Sequence, residues 1–189
     1  MGFQLKLYQE HCLEVLAEYL ARAAVVGAKK AFNERDDLPV KYREVPQLPA
    51  LPYVCLRVPT GGGKTVLAAS SVGIATRRFL QVDRCIVLWL APTNVIVEQT
   101  LKALRDRSHP YRQALDTDFN RAVEVMSLPE ALYVTRATLD GAATIIVSTL
   151  GAMRVEETEG RKIYETNGAL QPHFSGLAET QLARLEMMG

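Results

Sequence analysis

The fold of this chain is decided at residues 56–69, which read LRVPTGGGKTVLAA. An apolar run leads into three glycines, a lysine and a threonine, and small residues follow, as in a phosphate-binding loop between a strand and a helix. Val58 stands where the usual G-x-x-x-x-G-K-[ST] motif opens with glycine. Consecutive glycines let backbone N–H groups approach phosphate oxygens, and the N-terminus of the next helix adds partial positive charge. The stretch therefore predicts a nucleotide site.

The polar groups of this loop have predicted roles around the phosphates. Lys64 reaches the β- and γ-phosphates as a point charge, and the Thr65 hydroxyl coordinates Mg²⁺. Val58 is compatible with such a site when the N–H groups that face the anion come from residues 60–65, but it disfavours a typical kinase or GTPase loop. The residues assigned to the nucleotide are Thr60, Gly61, Gly62, Gly63, Lys64 and Thr65.

Apolar strands alternate with helical segments along most of the chain. The predicted strands are 53–58, 85–91, 122–127 and 143–149, and the predicted helices are 8–32, 64–80, 93–105 and one that Ser127 and Glu130 open as a capping box and that ends at 140–141. Apolar strands separated by helices are typical of a mostly parallel sheet with helices on both faces, so the predicted fold class is α/β. Beyond residue 151 the patterns are weaker: a hairpin turn or a loop at 167–168, and a helix over 175–189.

Composition and charge are those of a globular chain. Of the 189 residues, 48% are hydrophobic and 23% charged, and the net charge of +1 gives no bulk basic field for nucleic acid. Cys12, Cys55 and Cys85 are widely spaced in apolar stretches, which favours buried free thiols in a reducing compartment. The histidines lack metal-ligand spacing, and the chain has neither a signal peptide at its start nor an apolar run long enough to span a membrane. We therefore expect a cytoplasmic protein.

Three further motifs flank the glycine loop in a fixed order. LYQE stands at 7–10, and LWLAPTNVIVEQT at 88–100 and IIVSTLGAMR at 145–154 follow the loop. Together with VPTGGGKT at 58–65, they resemble the motifs of superfamily 2 helicases and translocases, and within that group the motor subunit of type III restriction enzymes. In that family the leading position of the glycine loop is variable, which accounts for Val58.

The resemblance assigns roles to residues outside the loop. Gln9 corresponds to the family's adenine reader, since a side-chain amide can donate to N7 and accept from the N6 amine. Thr93, Asn94 and Thr149 correspond to residues that contact the backbone of the tracked strand. For Thr93 and Thr149 a helix cap is an equal alternative, and the two roles are compatible because both use a helix N-terminus.

The resemblance implies a RecA-like P-loop NTPase that binds ATP and Mg²⁺. We expect an N-terminal helix with the glutamine motif and a proline-rich tether over 1–52, the P-loop core over 53–155, and an extension over 156–189 with the domain incomplete at its C-terminus. The family's acidic box is absent, because the chain has no Asp-Glu dipeptide. We therefore expect the N-terminal part of a longer ATP-dependent helicase or translocase, and negligible hydrolysis by this chain alone.

The resemblance also implies partners. DNA is the expected polymer, with RNA as the alternative, and a modification methyltransferase subunit is the expected protein partner. Two other functions remain open from the residues: a stand-alone kinase-like P-loop enzyme and a non-catalytic nucleic-acid-binding module. Preference for ATP over GTP would disfavour the first, and the salt dependence of single-strand binding tests the second.

Overall fold

The computed structural model describes residues 4–35, 38–46, 48 and 50–153, and the predicted turn at 167–168 and helix over 175–189 lie outside them. The elements, in chain order, are α1 (Leu7–Val26), α2 (Ala28–Asn33), α3 (Lys64–Ile74), a π-helical segment (Ala75–Leu80), β1 (Ile86–Ala91), α4 (Asn94–Arg105), α5 (Pro110–Asp118), β2 (Val123–Ser127), α6 (Leu128–Ala131), α7 (Arg136–Gly141), β3 (Ala143–Thr149) and a 3₁₀ turn (Gly151–Met153).

The chain divides into two compact units. The first comprises Met1–Asp83 with Asp106–Arg121, and the second comprises Arg84–Arg105 with Ala122–Gly189. The first unit therefore holds α1, α2, α3, the π-helical segment and α5, whereas the second holds the three strands with α4, α6 and α7. The glycine loop belongs to the helical unit.

The second unit is built on a parallel sheet of strand order β1-β3-β2. Ala91 of β1 and Ser127 of β2 pair with Thr149 and Val147 of β3, so the three carboxyl ends lie at one edge of the sheet. β3 is buried along most of its length, as a central strand between two neighbours should be. The predicted strands at 85–91, 122–127 and 143–149 are confirmed to within one residue.

In the first unit, α2, α3 and the π-helical segment pack against α1. Leu16, Tyr19 and Leu20 lie on one face of α1 and form a buried cluster with Ala23 and Ala31. The predicted single helix over 8–32 is wrong, because Gly27 adopts a left-handed φ of 88° and separates α1 from α2. Gly27 continues the spacing of small and apolar residues along α1, but its backbone freedom determines where α1 ends.

α3 and α5 pack closely in the first unit. A Cβ added to Gly73 would overlap the Asp118 carboxyl group, so the two helices approach at a position where only hydrogen fits. Asp118 also forms an ion pair with Arg77, with 2.7 Å between Oδ1 and Nη2. α5 was not predicted from the sequence; it begins at Pro110, and the His109 ring nitrogen accepts a hydrogen bond from the Tyr111 backbone N–H as its cap.

Three other expectations require correction. Residues 53–58 are apolar but are assigned to no strand; a strand needs a hydrogen-bonded neighbour, and these residues pair with no strand among the described residues. The Ser127–Glu130 capping box is confirmed, but the helix it opens ends at Ala131, and α7 starts separately under a Thr135 cap. All three cysteines are free thiols as predicted, but none is buried: Cys55 is exposed, and Cys12 and Cys85 are partly exposed.

Candidate nucleotide site

The backbone of the glycine loop depends on two left-handed residues. Gly61 and Gly63 both have φ of 79°, a region that residues with a Cβ adopt only at a cost of about 1–2 kcal/mol. Gly63 is the N-cap of α3, so this conformation turns the chain from the loop into the helix. The first backbone N–H groups of α3 have no acceptor within the helix, as in the anion-binding end that the sequence predicts.

Gly62 is constrained by close approach rather than by φ. A Cβ at this position would lie 2.5 Å from Val58 Cγ1 and 3.0 Å from the Pro59 carbonyl oxygen, well inside normal contact distance. The Gly62 N–H also donates to Pro59 O at 3.0 Å, which closes a tight turn. Val58, the residue that departs from the usual motif, therefore packs against the α-carbon of a motif glycine.

Side chains at the start of α1 hold the loop from the other side. The Gly62 carbonyl oxygen accepts from the Tyr8 hydroxyl at 2.9 Å and from Gln9 Nε2 at 3.1 Å. Gln9 is only 4% exposed, and its Oε1 accepts from the Lys6 backbone N–H at 2.9 Å, which caps α1. The structure thus places Gln9 against the glycine loop, as the sequence order suggested, and adds Tyr8, which sequence reasoning missed.

The charged and hydroxyl groups of the loop fit a nucleoside triphosphate with its magnesium ion. Lys64 is exposed, and among the described residues its Nζ donates to the Pro59 carbonyl oxygen at 3.3 Å, a contact that a phosphate could replace. Thr65 is half-buried as the second residue of α3, where a hydroxyl can serve as a metal ligand. A cradle that excludes Cβ atoms, a free helix end and an adjacent ammonium group together match the chemistry of phosphate.

Thr93, Asn94 and Thr149 lie in the second unit, at the carboxyl edge of the sheet. Thr93 Oγ1 accepts from the Ile96 backbone N–H at 3.3 Å, and Thr149 Oγ1 accepts from the Ala152 N–H at 3.1 Å. Both threonines are therefore caps, the alternative that the sequence left open. Asn94 is exposed as the first residue of α4. Capping leaves the phosphate-contact role of these residues a prediction.

At the same edge of the sheet, the Glu130 carboxylate forms part of a helix N-cap. Glu130 Oε2 accepts from the Ser127 backbone N–H at 2.6 Å, from the Ser127 hydroxyl at 2.7 Å and from the Arg105 guanidinium at 2.6 Å. The Ser127 backbone and side-chain hydrogen bonds, with a smaller contribution from Arg105, lower the pKa of Glu130 from 4.5 to about 2. Glu130 is therefore ionised at neutral pH, and its hydrogen bonds stabilise the start of α6.

Comparison with known protein families identifies the chain. Residues 2–169 match the family model described as the type III restriction enzyme, res subunit. The chain belongs to this res-subunit family. Searches of curated proteins and of solved structures returned no match.

Membership of the res-subunit family establishes the fold class and the general activity. The fold is that of a RecA-like P-loop domain, to which the observed parallel sheet and helices conform as a partial α/β domain. The family comprises helicase-like, ATP-dependent motors. The matched region spans every residue assigned above, from Gln9 to Thr149. Within the described residues, no helix is both long enough and apolar enough to cross a membrane.

Proposed function

We propose that this res-family chain binds ATP with Mg²⁺ in its glycine loop and contacts a DNA backbone, as part of a helicase or translocase motor of a restriction system. The observation that carries the proposal is the loop itself, in which Gly61 and Gly63 are left-handed, Gly62 excludes a Cβ, and Lys64 is exposed at the start of α3. Bound ATP–Mg²⁺ supplies the phosphoanhydride whose hydrolysis drives such motors.

Different residues of the chain have different roles in binding ATP and Mg²⁺. Backbone N–H groups of residues 60–65 bind phosphate oxygens, Lys64 neutralises charge on the β- and γ-phosphates, and Thr65 coordinates the metal. Gln9 recognises the adenine edge through its amide. Adenine recognition requires the Gln9 side chain to share or exchange its present hydrogen bonds to Lys6 and Gly62. ATP binding is therefore expected to alter the contact between α1 and the loop.

Calorimetric titration of the full chain with Mg-ATP and Mg-GTP tests the nucleotide site. Lys64→Ala should weaken Mg-ATP binding by roughly tenfold or more, because a charge-assisted hydrogen bond contributes about 1.5–3 kcal/mol. Lys30→Ala removes the same charge from an exposed position in α2 and serves as the matched control. Equal effects of the two substitutions would refute the assignment of Lys64.

Nucleotide preference tests the adenine reader. The wild-type chain should bind ATP more tightly than GTP, and Gln9→Ala should remove most of that difference. Equal binding of ATP and GTP by the wild-type chain would contradict the proposal and favour a different kind of P-loop protein.

Hydrolysis tests the role of the missing acidic box. A P-loop motor uses an acid to hold the Mg²⁺ shell, and the chain has no Asp-Glu dipeptide. We therefore propose that this chain binds ATP but hydrolyses it negligibly by itself. Turnover well above that of Lys64→Ala would contradict this part of the proposal.

The polymer-binding role rests on the carboxyl edge of the sheet. Thr93 and Thr149 cap helical turns there, and a capped helix N-terminus presents N–H groups that suit a phosphodiester. A titration of single-stranded DNA against salt should give a measurable slope, because each neutralised phosphate releases a counterion. A slope near zero would count against backbone contacts in this chain. Parallel titrations with RNA decide between the two polymers, and a methyltransferase subunit is the protein partner that the family suggests.

A further inference from the structure

Two adjacent side chains of α1 converge on a single acceptor in the glycine loop. The Tyr8 hydroxyl lies 2.9 Å from Gly62 O, and Gln9 Nε2 lies 3.1 Å from the same atom. In the proposed function the Gln9 amide also has a base to recognise, whereas the Tyr8 hydroxyl has no other assigned role. Tyr8 is therefore the donor that can remain on Gly62 when Gln9 engages the nucleotide.

The position of this carbonyl determines the direction of the next N–H group. The Gly62–Gly63 peptide is trans, as are all peptides of the described residues, so its C=O and N–H groups point in opposite directions. With the carbonyl drawn toward α1, the Gly63 N–H is aimed away from α1. Gly63 is the N-cap of α3, where a backbone N–H can meet an anion. A hydrogen bond from Tyr8 thus orients a predicted phosphate ligand that Tyr8 itself does not reach.

We propose that Tyr8 is a positioning residue of the nucleotide site: its hydroxyl fixes the Gly62–Gly63 peptide in the orientation that presents the Gly63 N–H to phosphate. The inference rests on the proposed function and adds a residue to it. Because the contact acts on the loop and not on the base, Tyr8 sets the affinity for the phosphate chain of any nucleotide. Gln9, in contrast, discriminates between bases.

The test compares Mg-ATP, Mg-GTP and inorganic tripolyphosphate as calorimetric ligands of the full chain. Tyr8→Phe removes the hydroxyl and retains the ring; it should weaken all three ligands by a similar factor, about three- to tenfold for one hydrogen bond. Tyr133→Phe is the matched control, since Tyr133 is 83% exposed and lies in the second unit, and it should change none of the three affinities. Gln9→Ala should change the ratio of ATP to GTP affinity, which Tyr8→Phe should leave unchanged.

Hydrogen–deuterium exchange supplies a readout that does not depend on ligand. In Tyr8→Phe the loop amides around Gly63 should exchange faster than in wild type, with the core amides of α1 unchanged, which shows that the variant remains folded. If the wild-type chain binds the ligands and Tyr8→Phe binds them equally well, the Tyr8 proposal alone is overturned. The same holds if Tyr8→Phe weakens binding of only one of the two nucleotides. Failure of the wild-type chain to bind any of the three ligands would overturn the proposed function itself.

Discussion

Gly62→Ala should disrupt the glycine loop through its contact with Val58. The added Cβ would lie 2.5 Å from Val58 Cγ1 and 3.0 Å from the Pro59 carbonyl oxygen, whereas carbon atoms in contact normally lie about 3.5–4 Å apart. One of the groups must therefore shift by about 1 Å. Overpacking of this kind costs about 1–3 kcal/mol, and replacing glycine returns about 0.4–1 kcal/mol by restricting the unfolded chain.

The net cost of about 1–2 kcal/mol should appear as a lower free energy of unfolding. The displaced Gly62–Gly63 peptide should also weaken Mg-ATP binding by about three- to tenfold, because the Gly63 N–H loses its alignment with phosphate. Val58→Ala removes the methyl group that the new Cβ meets, so the double variant should recover more than half of the loss in free energy. The contact with Pro59 persists and prevents full recovery.

A double-mutant cycle on Val58 and Gly62 decides whether this reasoning is correct. Calorimetry gives the four affinities, and urea unfolding gives the four free energies of unfolding, with a coupling energy of about 1 kcal/mol expected for residues in contact. Gly141→Ala is the control, because a Cβ there meets no atom within 4 Å. A coupling energy near zero, or wild-type affinity in Gly62→Ala, would refute the proposed packing.

Two further predictions concern stability. Glu130→Gln should lower the free energy of unfolding by about 0.5–1 kcal/mol, because a half-exposed carboxylate loses its charged hydrogen bonds to Ser127. Since the pKa of Glu130 is lowered from 4.5 to about 2, its contribution is complete above pH 4.5 and disappears as the pH falls toward 2. Urea unfolding across that range should therefore show a larger loss of stability in wild type than in the variant. Gly73→Ala should destabilise the chain by about 1–3 kcal/mol through overlap with Asp118, despite the better helix propensity of alanine; thermal unfolding that matches the near-neutral Gly141→Ala would contradict it.

The sequence predicted the sheet of the second unit well, because each strand is a short apolar run and the same pattern occurs three times. β3 is apolar throughout and central, and its neighbours β1 and β2 are likewise short apolar runs separated by helical segments. Residues 53–58 have the same apolar character and yet belong to no strand. Apolar character reports burial preference, whereas a strand also needs a hydrogen-bonded partner that composition does not specify.

The helical unit shows where local patterns fail. Gly27 fits the spacing of the apolar face of α1, and only its left-handed φ reveals a helix end. α5 has few apolar residues. Its start is fixed by the His109 cap, and its packing position is fixed by the close approach of Gly73 to Asp118. Both features depend on conformation or on residues distant in sequence, which a periodicity count does not detect.

The sequence predicts those residues of the candidate site whose type and position in a motif indicate a chemical role. Three glycines followed by Lys64 and Thr65 at the start of a helix indicate a phosphate site, and the order of the motifs predicts a role for Gln9. Tyr8 gave no such signal, because a tyrosine beside a glutamine is unremarkable until its hydroxyl is seen 2.9 Å from Gly62 O. The contacts that orient the loop come from outside the motif.

Contacts on both sides of Gly62 explain why the loop can lack its usual first glycine. Gly62 is held on one side by Val58 against its α-carbon and on the other by Tyr8 and Gln9 on its carbonyl oxygen. A glycine at position 58 would remove the methyl group that packs against the Gly62 α-carbon. The Gly62–Gly63 peptide would then be restrained only by the hydrogen bonds to its carbonyl oxygen. The requirement in this chain is therefore a fixed orientation of the Gly62–Gly63 peptide, and a branched apolar residue at 58 meets it. Substitution of Val58 by glycine should consequently loosen the loop rather than restore a better phosphate site.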